Sequence, residues 1–194
     1  MPNRVTELHS IMPIENMISV LEHGILSHDR VAALPHSDVS LASVQAKRAH
    51  KTIPNGLKLH QYANLYFHAR NPMMFIRKNE ADNLCILRIS NQVINLEGVV
   101  LSDQNAASDY VRFLSPTDYQ QINFDWVYAD DWTDPNQITH WQKSSAKCAE
   151  VLVPDVVAPQ HILGAYVVSE EAELKLKQRG FVQSISINKH LFFR

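Results

Sequence analysis

Residues 143–157 read KSSAKCAEVLVPDVV. A polar run from Lys143 to Lys147 passes through Cys148 and Ala149 into the apolar Val151-Leu152-Val153, and Glu150 stands at the join. A short apolar run rich in β-branched residues and stopped by Pro154 reads as a buried strand, Glu150 to Val153. A carboxylate entering a core strand must be paired or belong to a site, because burying it unpartnered is costly. On these residues alone two readings stay open: a strand-edge glutamate paired with Lys147, or a functional carboxylate.

Outward from that strand the chain alternates short elements. Upstream, Pro135 to Lys147 reads as a helix with a weak apolar face at Ile138 and Trp141. Downstream, Gly164 to Val168 reads as a strand, Ser169-Glu170-Glu171 opens a capped helix ending at Gly180, and Gln183 to Ile187 closes the sheet. Arg4 to Ser10 reads as a first strand. Pro13 to His23, with Ile14, Met17, Ile18 and Leu21 at helical spacing and Gly24 as the stop, reads as a helix. Ser40 to His50 is a short helix, Asn64 to His68 an aromatic strand, and Met73 to Arg77 a strand or one helical turn. Leu84 to Ile89 and Val99 to Leu101 are strands, while Leu101 to Asn136 is long and polar. A long connection of that kind is usually functional, and Trp126, Tyr128 and Trp132 predict that it is ordered. Short strands, few helices and long connections make an α+β pattern, not a doubly wound one.

The 194 residues fit one domain, 1–194, and the 45% apolar and 20% charged content is that of a globular chain. Two cysteines, Cys85 and Cys148, build neither a disulfide framework nor a four-thiolate zinc site. With five glycines there is no Gly-rich phosphate loop, and the zincin and nucleophile-elbow motifs are absent. The N-terminal MPNRVTELHS has no apolar leader segment and no run is long enough to cross a membrane, so a cytoplasmic location is expected.

Charge is segregated along the chain. From Val39 to Asn79 there is no acid, but Lys47, Arg48, Lys51, Lys58, Arg70, Arg77 and Lys78 occur among Tyr62, Tyr66, Phe67 and Phe75. Asp103 to Asp134 holds seven aspartates against Arg112 alone. The blocks either face each other or water, or the basic one meets a polyanion with Lys47, Lys51 and Lys58 as phosphate contacts. Tyr62, Tyr66 and Phe67, in a strand-like run, read as core. The ten histidines show no metal-ligand spacing, Cys148 reads as a buried small residue, and Arg48 reads as a solvated helix arginine.

Five stretches together carry a resemblance: LHSI with IENMISVLEHGILS, then VQAKRAHKTI, GLKLHQYANLYFHARNPMMF, LSDQNAASDYVRF and KSSAKCAEVLVPDVV. In this order, over Glu7 to Tyr166, the chain resembles the DarT family of DNA ADP-ribosyltransferase toxins. The resemblance implies an ADP-ribosyltransferase-like α+β fold: two small packed sheets with an NAD cleft between them and peripheral helices. It implies transfer of ADP-ribose from NAD to a base in single-stranded DNA, thymidine foremost, with a macrodomain antitoxin as partner and no metal. It places His9, Ser10, Ile11 and Leu26 against NAD, makes Arg48 both a catalytic and an NAD-contacting arginine, and makes Glu150 the catalytic glutamate at the end of an acceptor loop, Asp109 to Glu150. Met12, Gln61 and Gln104 depart from the family's usual His, Asp and Gly. Alternative functions are the same reaction on guanosine, RNA or protein, and a catalytically silent nucleic-acid-binding module.

Chemically, cleaving the nicotinamide–ribose bond builds positive charge on the sugar, which Glu150 can stabilise. A guanidinium does not surrender its proton in a protein. Arg48 is therefore expected to hold NAD phosphates or a developing base anion, with the acceptor's proton passing to Glu150 or water.

Overall fold

A computed structural model describes residues 4–38 and 40–194. Met1–Asn3, where the leader reading begins, and Val39, the first residue of the acid-free stretch, lie outside the described residues. The strands are β1 (Glu7–Pro13), β2 (Ile25–Leu26), β3 (Tyr62–Tyr66), β4 (Leu84–Ser90), β5 (Val100–Ser102), β6 (Phe113–Leu114), β7 (Glu150–Pro154), β8 (Val156–Val157), β9 (Ile162–Val167) and β10 (Ser184–Ile187). The helices are α1 (Met17–His23), α2 (His28–Val31), α3 (Ala42–Ala49), α4 (Pro72–Ile76), α5 (Phe124–Val127), α6 (Gln137–Ala146) and α7 (Glu170–Gln178).

Among the described residues, eight strands form one sheet in the order β10-β9-β4-β1-β3-β7-β5-β6, and β2 pairs with β8 in a two-stranded ribbon. The fold is α+β as expected, but its two sheets are unequal. β4 explains the size of the larger one: Leu84, Cys85, Ile86, Leu87 and Ile89 are all buried, the continuous apolar run of a strand covered on both faces. Each such Leu or Ile contributes roughly 1.5–3 kcal/mol by leaving water, and Leu87→Ala would cost about 2–5 kcal/mol. Every pairing in the large sheet is antiparallel except β9 with β10. That pair is parallel because α7 crosses between the two strands, burying Ala172 and Leu176 on its inner face. Ser169 Oγ accepts from the Ala172 N–H and starts that helix.

The ribbon β2–β8 requires Gly24. Its φ is +82°, and a Cβ there would sit 2.3 Å from the Val157 carbonyl oxygen. Several boundaries moved from the sequence reading. β1 continues to Pro13 because its register with β4 runs from Glu7↔Ser90 to Pro13↔Leu84. The first helix splits into a 3-10 turn, Ile14–Asn16, and α1. The Met73–Arg77 stretch is the helical alternative, α4 ending at Ile76 with Arg77 as its C-cap: Asn71 Oδ1 accepts from the Met74 N–H at 3.0 Å and caps the helix start. The polar stretch 101–136 is ordered, holding β6, the 3-10 turn Pro116–Gln121 and α5. No helix of the described residues is long and apolar enough to cross a membrane.

Candidate active site

Glu150 opens β7, where its register partners are Tyr66 of β3 and Ser102 of β5. Directly opposed residues of antiparallel strands share a sheet face, so His9, Tyr66, Glu150 and Ser102 form one row across four strands. Glu150 is anchored through both its backbone and its carboxylate. The Glu150 N–H donates to Ser102 Oγ at 3.0 Å, and Oε1 accepts from the Ala106 N–H at 3.0 Å.

The partner of that carboxylate is Arg48, not Lys147. Arg48 Nη1 donates to both Oε1 and Oε2 of Glu150, at 3.1 and 3.0 Å. Both side chains are buried, at 7% and 2% exposure. The solvated-arginine reading therefore fails. Leu41, Val44, Gln45 and Arg48 follow an i, i+3, i+4, i+7 spacing, and that face of α3 lines a cavity of about 290 Å³ together with Glu150. Among the described residues, Nε and Nη2 of Arg48 have no hydrogen-bond partner and remain donors for a cavity occupant.

The other expected residues divide. Ser10, Ile11 and Leu26 line the cavity. His9 does not: its Nδ1 faces the Phe67 carbonyl at 3.3 Å and its Nε2 faces Glu7 Oε1 at 3.2 Å. Lys47 and Lys58 are exposed and make no ion pair among the described residues. Lys51 is half-buried; its Nζ bonds the Ser108 carbonyl and lies 3.9 Å from Asp109. Apart from this contact, the acidic block pairs elsewhere, Asp103 with Arg112, Asp134 with Lys143 and Asp125 with Arg4. Within the basic block Arg48 pairs with Glu150 and Arg77 with Glu80, Arg70 donates to the Asp130 and His190 carbonyls, and Lys78 sits over the Phe75 ring, so Lys47 and Lys58 are the cations left open to a partner among the described residues. Tyr62 and Phe67 are core, as read, while Tyr66 lines the cavity.

Sequence reasoning missed Asn16, Asn64 and Tyr66 as cavity residues. Asn16 exchanges two bonds with Ser37, Nδ2 to the carbonyl at 2.7 Å and Oδ1 from the N–H at 2.9 Å, and so holds Ser37 at the cavity wall. The alternation of β3 carried the signal for Asn64 and Tyr66, which are one face of a strand. Cys148 lines the cavity as a buried thiol; burial, then the Glu150 charge, push its pKa up to about 12. It is not a nucleophile in that state. His28, which lines the cavity, brings one ligand atom to within 4.8 Å of Asp29 and His60, which also lie within that distance of each other, a cluster the sequence did not suggest.

Helices and a large and a small sheet around a cleft that holds a buried Arg–Glu pair define an ADP-ribosyltransferase-like fold. The chain belongs to the DarT family: the family model described as "ssDNA thymidine ADP-ribosyltransferase, DarT" matches residues 9–193. It is 27% identical over 184 residues to a DNA ADP-ribosyl transferase–DNA ADP-ribosyl glycohydrolase fusion protein of Thermosipho africanus, covering 90% of this chain and 46% of the fusion. The chain thus spans about half the length of that relative. It superposes on the structure of Thermosipho africanus DarTG in complex with ADP-ribose with a TM-score of 0.84, at 25% identity, over 96% of this chain and 51% of that one. Thermus sp. 2.9 DarT in complex with ADP-ribosylated ssDNA has the same fold, with a TM-score of 0.81 at 24% identity over 97% and 96% of the two chains.

Proposed function

We propose that the chain acts as one domain that transfers ADP-ribose from NAD⁺ to a thymine base in single-stranded DNA. The Arg48–Glu150 pair in the cavity carries this reading. Family membership and the molecules bound in the related structures, ADP-ribose and ADP-ribosylated ssDNA, support it.

The reaction breaks the bond between the nicotinamide nitrogen and the ribose anomeric carbon; nicotinamide leaves with the bonding electrons. Positive charge grows on the sugar, and a carboxylate held at a strand end stabilises it without reorganising. Oε1 of Glu150 already accepts from Arg48 and Ala106, whereas among the described residues Oε2 accepts from Arg48 alone and keeps room for a ribose hydroxyl. The base nitrogen then bonds the anomeric carbon, and its proton passes to Glu150 or to water. Arg48 orients Glu150 through Nη1, and its unpaired Nε and Nη2 take the substrate's phosphate or the developing base anion. Ser10, Ile11 and Leu26 serve as NAD contacts, and Lys47, Lys51 and Lys58 as contacts to DNA phosphates.

An unpaired base in single-stranded DNA needs no extraction from a duplex. The fused glycohydrolase of the Thermosipho relative supports a macrodomain antitoxin partner that removes the mark, and the DNA substrate supports a cytoplasmic location. Incubation with NAD⁺ and a single-stranded oligonucleotide tests the reading. The expected product is an oligonucleotide heavier by one ADP-ribose, absent with Glu150→Ala. Nicotinamide release with unmodified DNA would move the acceptor to RNA or protein. DNA binding without turnover would leave a silent binding module.

A further inference from the structure

His28 and Asp29 open α2, and His60 sits in the 3-10 turn Leu59–Gln61. The sequence keeps them apart; the fold stacks the two rings, with centroids 4.0 Å apart and planes 22° from parallel. His60 Nε2 donates to Gln45 Oε1 at 3.0 Å, a bond that keeps the hydrogen on Nε2 and leaves a bare lone pair on Nδ1. Burial, then the neighbouring His28, hold the His60 pKa below its ordinary value, which favours that neutral ring. Nδ1 faces Asp29 Oδ1 at 4.0 Å, too far for a hydrogen bond and with no proton to share. Two electron-pair donors turned toward each other across such a gap are complementary to a cation between them. A nitrogen of His28 completes the set: one atom from each of the three residues lies within 4.8 Å of the other two.

We propose that His28, Asp29 and His60 bind a divalent transition cation of the zinc type. Two imidazoles and one carboxylate are a borderline donor set, which selects such an ion over magnesium or calcium, whose preferred ligands are all oxygen. With bonds of about 2.0–2.2 Å, tetrahedral ligand atoms stand roughly 3.3–3.6 Å apart, so a side-chain movement of about 1 Å closes the three on an ion. The half-buried His28 ring supplies most of that movement by turning out of the stack. Gln45 is the outer partner that fixes the tautomer and direction of His60, the arrangement that orients metal-bound histidines. Two neighbouring cations are already engaged, Arg48 with Glu150 and Arg30 with Asp155. Three protein ligands leave a fourth position for water. His28 and Gln45 also line the cavity, so the site adjoins the reaction centre, but no step of the transfer runs through it. A bound ion ties α2 to the turn at 59–61 and, through Gln45, to α3.

The test titrates Zn²⁺ into the full, untagged chain after chelator treatment, read by calorimetry and by the melting temperature, with Co²⁺ absorption as a report on geometry. The wild type should take up one tight equivalent and melt at a higher temperature with Zn²⁺ than without. Co²⁺ should give the visible bands of a four- or five-coordinate ion. Asp29→Asn alters an exposed side chain and keeps the fold; it should weaken Zn²⁺ binding by about tenfold or more, as should His28→Ala and His60→Ala. Gln45→Ala, which removes only the outer partner, should weaken it by about tenfold. His23→Ala, at an exposed histidine outside the cluster, should change nothing. No Zn²⁺ uptake by the wild type, uptake that the three ligand variants leave unchanged, or Mg²⁺ bound as tightly as Zn²⁺ overturns the proposal. Oligonucleotide modification does not enter these readouts, so the site and the functional reading stand or fall separately.

Discussion

One guanidinium nitrogen of Arg48, on a helix, bridges both carboxylate oxygens of Glu150, on a strand 102 residues away, at 3.1 and 3.0 Å. Each residue is thus the other's means of being buried. Truncating either leaves an unpaired charge in the core, so Glu150→Ala should cost about 3–5 kcal/mol of stability as well as activity. Glu150→Gln keeps a partner for Arg48 and should recover part of that stability while activity stays lost. Urea unfolding alongside oligonucleotide mass spectrometry separates the two effects; a Gln variant that still modifies DNA at the wild-type rate would remove Glu150 from the chemistry.

Arg48→Lys tests what the arginine contributes. If a point charge beside Glu150 suffices, a measurable fraction of activity survives, on the order of one-hundredth of wild type. Complete loss would assign the work to Nε and Nη2, the donors a lysine lacks.

DNA affinity should fall steeply with salt, because the open lysines displace counterions from phosphates. Lys47→Ala and Lys58→Ala should each reduce the slope of log affinity against log salt by about 1. Lys51→Ala should do more than that. Its Nζ holds the Ser108 carbonyl in the segment whose Ala106 N–H bonds Glu150, so turnover should drop as well. Filter binding and kinetics at two salt concentrations check all three.

Acid should weaken the fold in two stages. The His68 pKa falls from 6.5 to about 3 through burial, then the Lys147 charge. Between those values the unfolded chain binds a proton the folded one refuses, so stability declines as pH drops below 6.5, by up to about 1.4 kcal/mol per pH unit. Glu7 behaves differently in origin: burial raises its pKa, but hydrogen bonds from His9, Arg88 and Tyr166 outweigh that and bring it from 4.5 to about 2. Its contribution is intact above pH 4.5 and fades toward pH 2. Urea midpoints from pH 7 to 5 should fall for the wild type and flatten for His68→Gln; an equal slope in both would contradict the His68 assignment.

Cys148 should resist thiol reagents at neutral pH despite lining the cavity, since its pKa is pushed up to about 12. Cys148→Ala should leave activity within about twofold, given that a thiol in this state supplies no nucleophile. Rapid labelling of the native chain would reverse that view.

Local chemistry in the chain was enough for the longer strands and helices, the α+β class and the position of Glu150 at the head of a core strand, because side-chain periodicity, caps and proline stops act over a few residues, whereas the short β2, α2, β6, α5 and β8 carried no such signal. The five ordered stretches also pointed to Arg48, whose residue type and spacing alone suggest only a solvated helix. Other features depended on three-dimensional closure. Glu150 could have paired with Lys147 three positions away; long-range pairing of β5, β7 and β3 instead turned it to Arg48 and sent Lys147 to the carbonyls of α5. His9 lies in the same row as Tyr66 and Glu150 yet is taken up by Glu7 and Phe67, a competition between neighbours on other strands. Desolvation made those choices: once a charge loses water, its partner is whichever group the packed chain brings within reach, and sequence distance no longer ranks the candidates.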